Sequence, residues 1–241
     1  MELKAEFTGS SHISATLRSR RYFSIQHIQS AALFTRQCYQ VEQSYDGTNS
    51  SDLVADHWSY VTGAIFAAAS FLEATINELF ADTLDHPDGE LASHLDAATR
   101  QLMADMWKRD IPKTAHYQII EKFQIALTLA RKPLLDSSNS PFQDVQTLII
   151  IRNDLIHFEP VWTSVEAEKA NKRILSLQNE KKFAFNPLIT APGNPFYPDK
   201  CLSHGCAKWA VNNSIQFVED FYFSIILDHA STQNLNPNEH N

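Results

Sequence analysis

Apolar residues recur every three or four positions through most of this chain, and this spacing constrains the fold more than any other feature. The pattern is clearest between residues 53 and 84, where one face of a helix would carry Trp58, Val61, Ile65, Ala68, Leu72, Ile76 and Leu79. Glycine occurs only six times in 241 residues, and no segment shows strand-like alternation followed by hairpin-type turn residues. The sequence therefore predicts an all-α fold.

Further helices follow the same spacing and end at clusters of turn-forming residues. Their predicted ranges are about 25–44, 90–108, 113–131, 141–158, 164–182 and 203–229. The helix at 164–182 is charged and exposed, with Glu168 and Lys172 four positions apart. Residues 183–200 contain four prolines and are predicted to form a long loop. The expected architecture is an antiparallel helical bundle with an extra charged helix and a Pro-rich loop.

The composition allows a sizeable core, since 44% hydrophobic and 20% charged residues are ordinary values for a globular protein. No internal repeat or strong boundary divides the chain. We assign residues 1–52 to an N-terminal arm and helix that pack on the core, 53–230 to the helical domain, and 231–241 to a flexible tail.

Charge and cysteine content limit the classes of function. The formal net charge is −8, so any RNA contact must rest on local basic patches. Three cysteines are too few for a disulfide framework and fit a reducing compartment. The N-terminus lacks a signal-type apolar region, and the apolar run at 61–72 is shorter than the roughly 20 residues of a membrane span. We expect a soluble, cytoplasmic protein with no membrane partner.

The stretch I-I-I-R-N-D-L-I-H-F-E-P, residues 149–160, places charged groups in an otherwise apolar helix. Ser140 is the predicted N-cap of this helix, with Pro141 at its first position and Gln143 as the capping-box partner. The charged groups therefore lie on a helix with a well-defined start, and their presence requires a physical reason.

Arg152 falls on the stripe of this helix that carries apolar, core-type residues. Burying an unpaired guanidinium is prohibitive, so Arg152 needs an acidic partner or a water-filled cleft. Glu73 is the candidate partner, because it forms a polar stripe with Ser70 and Asn77 on the apolar helix at 53–84. The alternative for this stripe is a polar seam that binds neighbouring backbone. Asp154 is the alternative partner.

His157 lies five positions after Arg152, or roughly 140° around a helix axis. The two side chains therefore diverge on one straight helix. They converge if the helix end distorts near Pro160, or if a second copy of the chain supplies the other half of the site.

The segment R-N-D-L-I-H resembles the Arg-x4–6-His signature of HEPN domains, which are small all-α modules of prokaryotic toxin, abortive-infection and RNA-processing proteins. The matching positions are Arg152, the polar Asn153 and His157. The resemblance extends over the helical core from about 53 to 229. It implies a metal-independent endoribonuclease of HEPN type that needs no cofactor and acts as a homodimer. One departure is Glu159, where a well-known variant of the family has a tyrosine modified by a partner enzyme.

The residue types suit this chemistry independently of the family. An imidazole can move protons near neutral pH, as cleavage through the ribose 2′-OH requires. A guanidinium can hold the scissile phosphate without losing its charge. We therefore predict catalytic roles for Arg152, Asn153 and His157, and supporting roles for Glu73, Asn77 and Asp154.

The resemblance also implies a biological setting, namely a toxin or phage-defence effector with an RNA substrate and an antitoxin protein as a further partner. Two alternatives stay open. The chain could be a non-catalytic HEPN-like module that binds a nucleotide, an RNA or a protein partner. The charged pair could also be structural, with Arg152 bound to Glu73 or Asp154 and His157 at the helix C-terminus, where a cation is favoured.

The segment C-L-S-H-G-C offers Cys201, His204 and Cys206 as metal ligands, with Cys38 as the remaining thiol. Zinc commonly takes four ligands with paired cysteines. We therefore predict a turn before the last helix, and no metal site.

Overall fold

The computed structural model describes residues 2–6, 12–16, 20–48, 50–112, 117–159 and 172–227. Its first element is an antiparallel hairpin of β1 (Glu2–Glu6) and β2 (His12–Thr16), with Glu2 opposite Thr16. The sequence prediction of an N-terminal arm without strands is wrong here. Both strands alternate polar and apolar residues, as E-L-K-A-E and H-I-S-A-T, and a glycine-containing segment lies between them, so the hairpin pattern is present in the sequence and was overlooked.

All other regular elements in the described ranges are helical, which confirms the all-α prediction. Seven of them are α-helices: α1 (Ser24–Ser44), α2 (Ser51–Asp85), α3 (Ala97–Lys108), α4 (Ile119–Leu129), α5 (Phe142–Ile156), α6 (Lys172–Asn179) and α7 (His204–Ile226). A single 3-10 turn, Ala92–His94, precedes α3, and a wide helical turn, Phe196–Lys200, precedes α7.

The long helix α2 is the centre of the bundle and contacts α1, α3, α4, α5 and α7. Its predicted apolar face is buried, with Val61, Ile65, Leu72 and Ile76 fully removed from solvent. Side chains of this size each stabilise the fold by about 1.5 to 3 kcal/mol when buried. The core therefore forms around one helix whose hydrophobic stripe is complete.

The far side of the core is aromatic. Phe123 of α4 meets Phe217 and Phe221 of α7 edge to face, with ring centroids 5.1 and 4.9 Å apart. Edge-to-face pairs are favoured because the positive edge of one ring meets the negative face of the other. These contacts fix α4 against α7 and so help to position the start of α4.

Several helices begin at a residue whose side chain accepts a hydrogen bond from a backbone amide of the first turn, which stabilises the helix end. The hydroxyl of Ser50 accepts a hydrogen bond from the Leu53 amide at 3.2 Å, and Asp96 accepts from Thr99 at 3.0 Å. The start of α5 differs from its prediction. Pro141 is the N-cap without a side-chain bond, while Ser140 donates to Asp144 and Gln143 donates to the Ser138 carbonyl at 2.9 Å. The predicted capping box is therefore wrong, because loop contacts occupy both side chains.

One helix, α2, is long and apolar enough to cross a membrane by length and composition alone. However, 61% of its most apolar window is buried inside the protein. A core helix shows this same combination, so membrane crossing does not follow from it.

The charged helix predicted at 164–182 is described only as α6, and residues 160–171 lie outside the described residues. Glu168 and the predicted tail at 231–241 also lie outside them. In the Pro-rich segment, Asn186 is buried and its amide group donates to the Asp199 carbonyl at 3.2 Å. This loop is therefore held together by side-chain to backbone hydrogen bonds.

Candidate functional site

A cavity of about 470 Å³ opens between α2, the start of α4, α5 and α6. Arg152 and Asn153 of the R-N-D-L-I-H motif line it, together with Glu73 of α2 and Arg173 of α6. Apolar side chains of α4 and α5 form much of the remaining wall. The structure thus places two of the three predicted catalytic residues and one supporting residue around one open space.

Arg152 lies at the edge of the core, with its side chain half-buried. The fully buried residues of α5 are Val145, Leu148 and Ile151, so Ile151 takes the interior position adjacent to it. The Arg152 guanidinium donates a hydrogen bond to the Asn153 side-chain oxygen at 2.8 Å. Of the two environments that the sequence allows for this arginine, the structure shows the open cleft.

The predicted ion pair between Glu73 and Arg152 is not formed by these described residues. The carboxylate of Glu73 instead accepts from the Lys122 ammonium, which lies on α4 and also donates to the Asn77 side-chain oxygen at 3.3 Å. Asn77 donates back to Glu73 at 3.4 Å. Glu73 and Asn77 of the polar stripe on α2 therefore bind the buried Lys122. The sequence predicted Arg152 as the partner of Glu73.

Lys122 explains this difference in partner. Its side chain is only 2% exposed, whereas that of Glu73 is 39% exposed. A buried ammonium needs a carboxylate far more than a half-exposed guanidinium does. One signal could have revealed this, since Lys122 interrupts the apolar run I-I-E-K-F-Q-I-A-L at a position between Ile119 and Ala126 on the same helix face.

His157 is exposed and is not among the residues that line the cavity. It is the C-cap of α5, with φ −106° and ψ 29°, and its amide donates to the Asn153 carbonyl at 2.9 Å. A distortion near Pro160 lies outside the described residues, so convergence by that route is not described. One chain therefore carries Arg152 inside the cavity and His157 beyond the end of the same helix.

Asp154 does not line the cavity either, and the described residues show no ion pair between it and Arg152. Burial raises the pKa of the Asp154 carboxyl. Burial also raises the pKa of Tyr197, and the negative charge of Asp154 adds to that rise. Asp154 therefore lies near Tyr197 in the turn before α7, and its supporting role stays a prediction.

A second guanidinium reaches the cavity from α6. Arg173 donates to the Gln146 side-chain oxygen at 2.7 Å, and both residues line the space. The ammonium of Lys122 pairs with Glu73, and the guanidinium groups of Arg152 and Arg173 both line the cavity.

The segment before α7 is a turn, as predicted. The Ser203 hydroxyl caps α7 by accepting from the Cys206 amide at 3.1 Å. Cys38, Cys201 and Cys206 are buried as free thiols. The His204 ring packs on Tyr39 with centroids 4.9 Å apart.

Comparisons with protein-family models, curated proteins and solved structures found no match for this chain. The likeness to HEPN domains therefore depends on the short motif and on the helical architecture.

Proposed function

We propose that this chain is a metal-independent endoribonuclease that cleaves RNA through attack of the ribose 2′-OH. The observation that carries the proposal is the open cavity that Arg152 and Asn153 share with Arg173. Phosphate is one of the anionic groups that a guanidinium binds bidentately. A 2′-OH nucleophile makes RNA the substrate class.

In this mechanism Arg152 binds the scissile phosphate and stabilises the charge that develops on it. Asn153 holds the guanidinium through the 2.8 Å hydrogen bond. His157 takes the 2′-OH proton or gives a proton to the leaving oxygen. Glu73 and Asn77 act indirectly, by fixing Lys122 and hence the position of α4 beside the cavity.

A homodimer supplies the missing geometry, because His157 lies outside the cavity of its own chain. Ile156 and Phe158 flank this histidine and are 50% and 49% exposed. Apolar side chains of this kind are suited to contact with a second copy. A toxin or phage-defence effector in the cytoplasm, held inactive by an antitoxin, is the biological role that fits such an enzyme.

A second candidate function is binding without cleavage. The separation of His157 from the cavity favours it, since the described lining residues place no imidazole beside the arginines to move protons at neutral pH. A nucleotide, an RNA or a protein partner would occupy the same space.

Cleavage of labelled RNA by the purified protein, in EDTA, tests the two candidates. Cleavage that disappears in both Arg152→Ala and His157→Ala, and persists in the exposed-histidine control His94→Ala, supports the enzyme. RNA binding that Arg152→Ala weakens, without cleavage by the wild type, supports the binding module. If the wild type neither cleaves nor binds RNA, the ribonuclease is wrong and the binding module is left with a nucleotide or a protein partner as its ligand.

A further inference from the structure

A second cluster of reactive side chains lies away from the cavity, where α1, α2 and the start of α7 meet. Cys38 and Glu42 are four positions apart on α1, and His57 faces them from α2. The three ligand atoms all lie within 4.8 Å of one another. We propose that Cys38, Glu42 and His57 bind one divalent transition-metal ion, with zinc preferred.

The distances between these atoms are close to those between three of the four ligands of a tetrahedral zinc site. The His57 Nε2 to Glu42 Oε1 distance is 2.9 Å, and the Cys38 Sγ to Glu42 Oε1 distance is 4.0 Å. Ligands bound to zinc at its usual bond lengths lie roughly 3.3 to 3.8 Å apart in a tetrahedron. Small side-chain shifts would bring both distances into that interval.

The donor set and its charge favour zinc over other common ions. Sulfur, imidazole nitrogen and carboxylate oxygen are the three donor types that zinc takes in proteins, whereas magnesium and calcium prefer oxygen alone. A thiolate and a carboxylate together neutralise a doubly charged ion, and a neutral imidazole leaves that balance unchanged. A neutral complex suits the interior, where isolated charges are costly.

The cluster is more deeply buried than is usual for polar side chains whose role is only to hydrogen-bond one another. Cys38 and His57 are completely buried, and the Glu42 side chain is 12% exposed. The His57 Nδ1 atom is buried and has no hydrogen-bond partner among the described residues. Three polar groups are therefore concentrated in the core, and a metal bond would compensate for the solvation that they lose.

Glu42 also links the cluster to a third helix. Its Oε1 atom accepts the backbone N–H of His204, the first residue of α7, at 2.6 Å. Backbone hydrogen bonds of this type orient carboxylate ligands around a metal. The ion would thus join α1, α2 and α7, and its role would be structural. None of the three residues lines the cavity that contains Arg152, so this inference is independent of the proposed ribonuclease.

Metal binding by the full-length protein tests the proposal. The purified protein is stripped with a chelator, dialysed against zinc and analysed for metal content, and a parallel sample is titrated with cobalt. We expect one zinc per chain and a thiolate-to-cobalt absorption band. In Cys38→Ala and His57→Gln the zinc affinity should fall by more than about tenfold, since even residues that only support metal ligands change it by that factor.

Three further variants separate ligand loss from misfolding. Glu42→Gln keeps an acceptor for the His204 amide but lacks the ligand charge, so it should fold and bind zinc more weakly. His94→Gln, at an exposed histidine, and Cys201→Ala, at a thiol outside the cluster, should keep the zinc and the cobalt band. A folded wild type that binds no zinc, or a Cys38→Ala variant that binds it as tightly, would overturn the proposal.

Discussion

At the scale of single residues, the contact between Lys122 and Glu73 has two unequal partners. The ammonium is buried, and the carboxylate is partly in water. Removing the carboxylate therefore leaves a charge in the core, whereas removing the ammonium leaves a carboxylate that water can solvate. A salt bridge of this kind should respond differently to loss of each partner.

Glu73→Ala should lower the free energy of unfolding by about 3 to 5 kcal/mol, because it leaves the Lys122 ammonium unpaired in the interior. Lys122→Met, which fills a similar volume without charge, should lower it by about 1 kcal/mol or less. Urea unfolding at neutral pH measures both values, provided that the slope with denaturant is unchanged. Equal losses in the two variants would mean that Lys122 is solvated.

Asp154 offers a prediction with a definite pH dependence. Its folded-state pKa is raised by burial, so the folded protein binds a proton more tightly than the unfolded chain. This carboxyl group therefore destabilises the fold as pH rises through its ordinary pKa of about 3.9 and towards the raised value. Below that range it has no effect.

We accordingly expect Asp154→Asn to be more stable than the wild type at pH 7, and the difference to vanish at pH 3. Thermal unfolding at several pH values measures this. Asp136→Asn is the matched control with the opposite sign, because hydrogen bonds from Ser138 and Asn139 lower the pKa of the Asp136 carboxyl. A stability gain for Asp154→Asn that does not depend on pH would contradict the assignment.

At the scale of elements, the sequence predicts the helices whose apolar stripe is continuous and misplaces those whose ends depend on tertiary contacts. The boundaries of α2 and α7 agree with their predictions within a few residues because periodicity and caps are local signals. The segment predicted as one helix at 90–108 is divided into a 3-10 turn and α3, because Asp96 caps a new helix there. The capping hydrogen bond joins the first and last residues of the segment D-A-A-T, which is short and easily overlooked in a sequence.

The same contrast applies to the candidate site. The helical periodicity of residues 141–158 places Arg152 on the apolar stripe, and this alone predicts that the guanidinium needs an acidic partner or a cleft. The choice of Lys122 as the partner of Glu73 depends on how α4 packs across α2. That packing is set by long-range contacts, including those of Phe123 with α7, which no local pattern encodes.

The cap of α2 allows a matched test at this scale. Ser50→Ala removes the oxygen that accepts from the Leu53 amide, so it should lower the free energy of unfolding by about 1 kcal/mol. Ser51→Ala changes the neighbouring exposed serine inside the first turn, where alanine is a good helix former. That control should be neutral or slightly stabilising. Urea unfolding of both variants measures how much the cap stabilises the protein.

At the scale of the whole molecule, the two halves of the motif lie apart within one chain, and the proposed homodimer would bring them together. Arg152 lines its cavity, while His157 is exposed beyond the last turn of α5. In a two-fold symmetric dimer, each composite site would take the arginine of one copy and the histidine of the other. Two sites related by symmetry would then share one interface.

This arrangement predicts complementation between inactive variants. Arg152→Ala and His157→Ala should each lack RNA cleavage alone, because each removes one half of both sites. In a heterodimer of the two, one site loses both groups while the other keeps both. Random subunit exchange should therefore restore about a quarter of wild-type activity, since half of the dimers are mixed and each has one intact site.

The measurement is RNA cleavage by the mixed variants after co-refolding, with light scattering to establish the dimer. The control is a mixture of His157→Ala with wild type. Its activity shows how much cleavage remains when active chains are diluted by inactive ones, because no site in it is rebuilt from two defective chains. Absence of recovery in dimers shown to be mixed would mean that Arg152 and His157 act within one chain or not at all. Recovery would show that the active site lies at the dimer interface, with Arg152 from one chain and His157 from the other. Within one chain, the geometry of α5 keeps these two side chains apart.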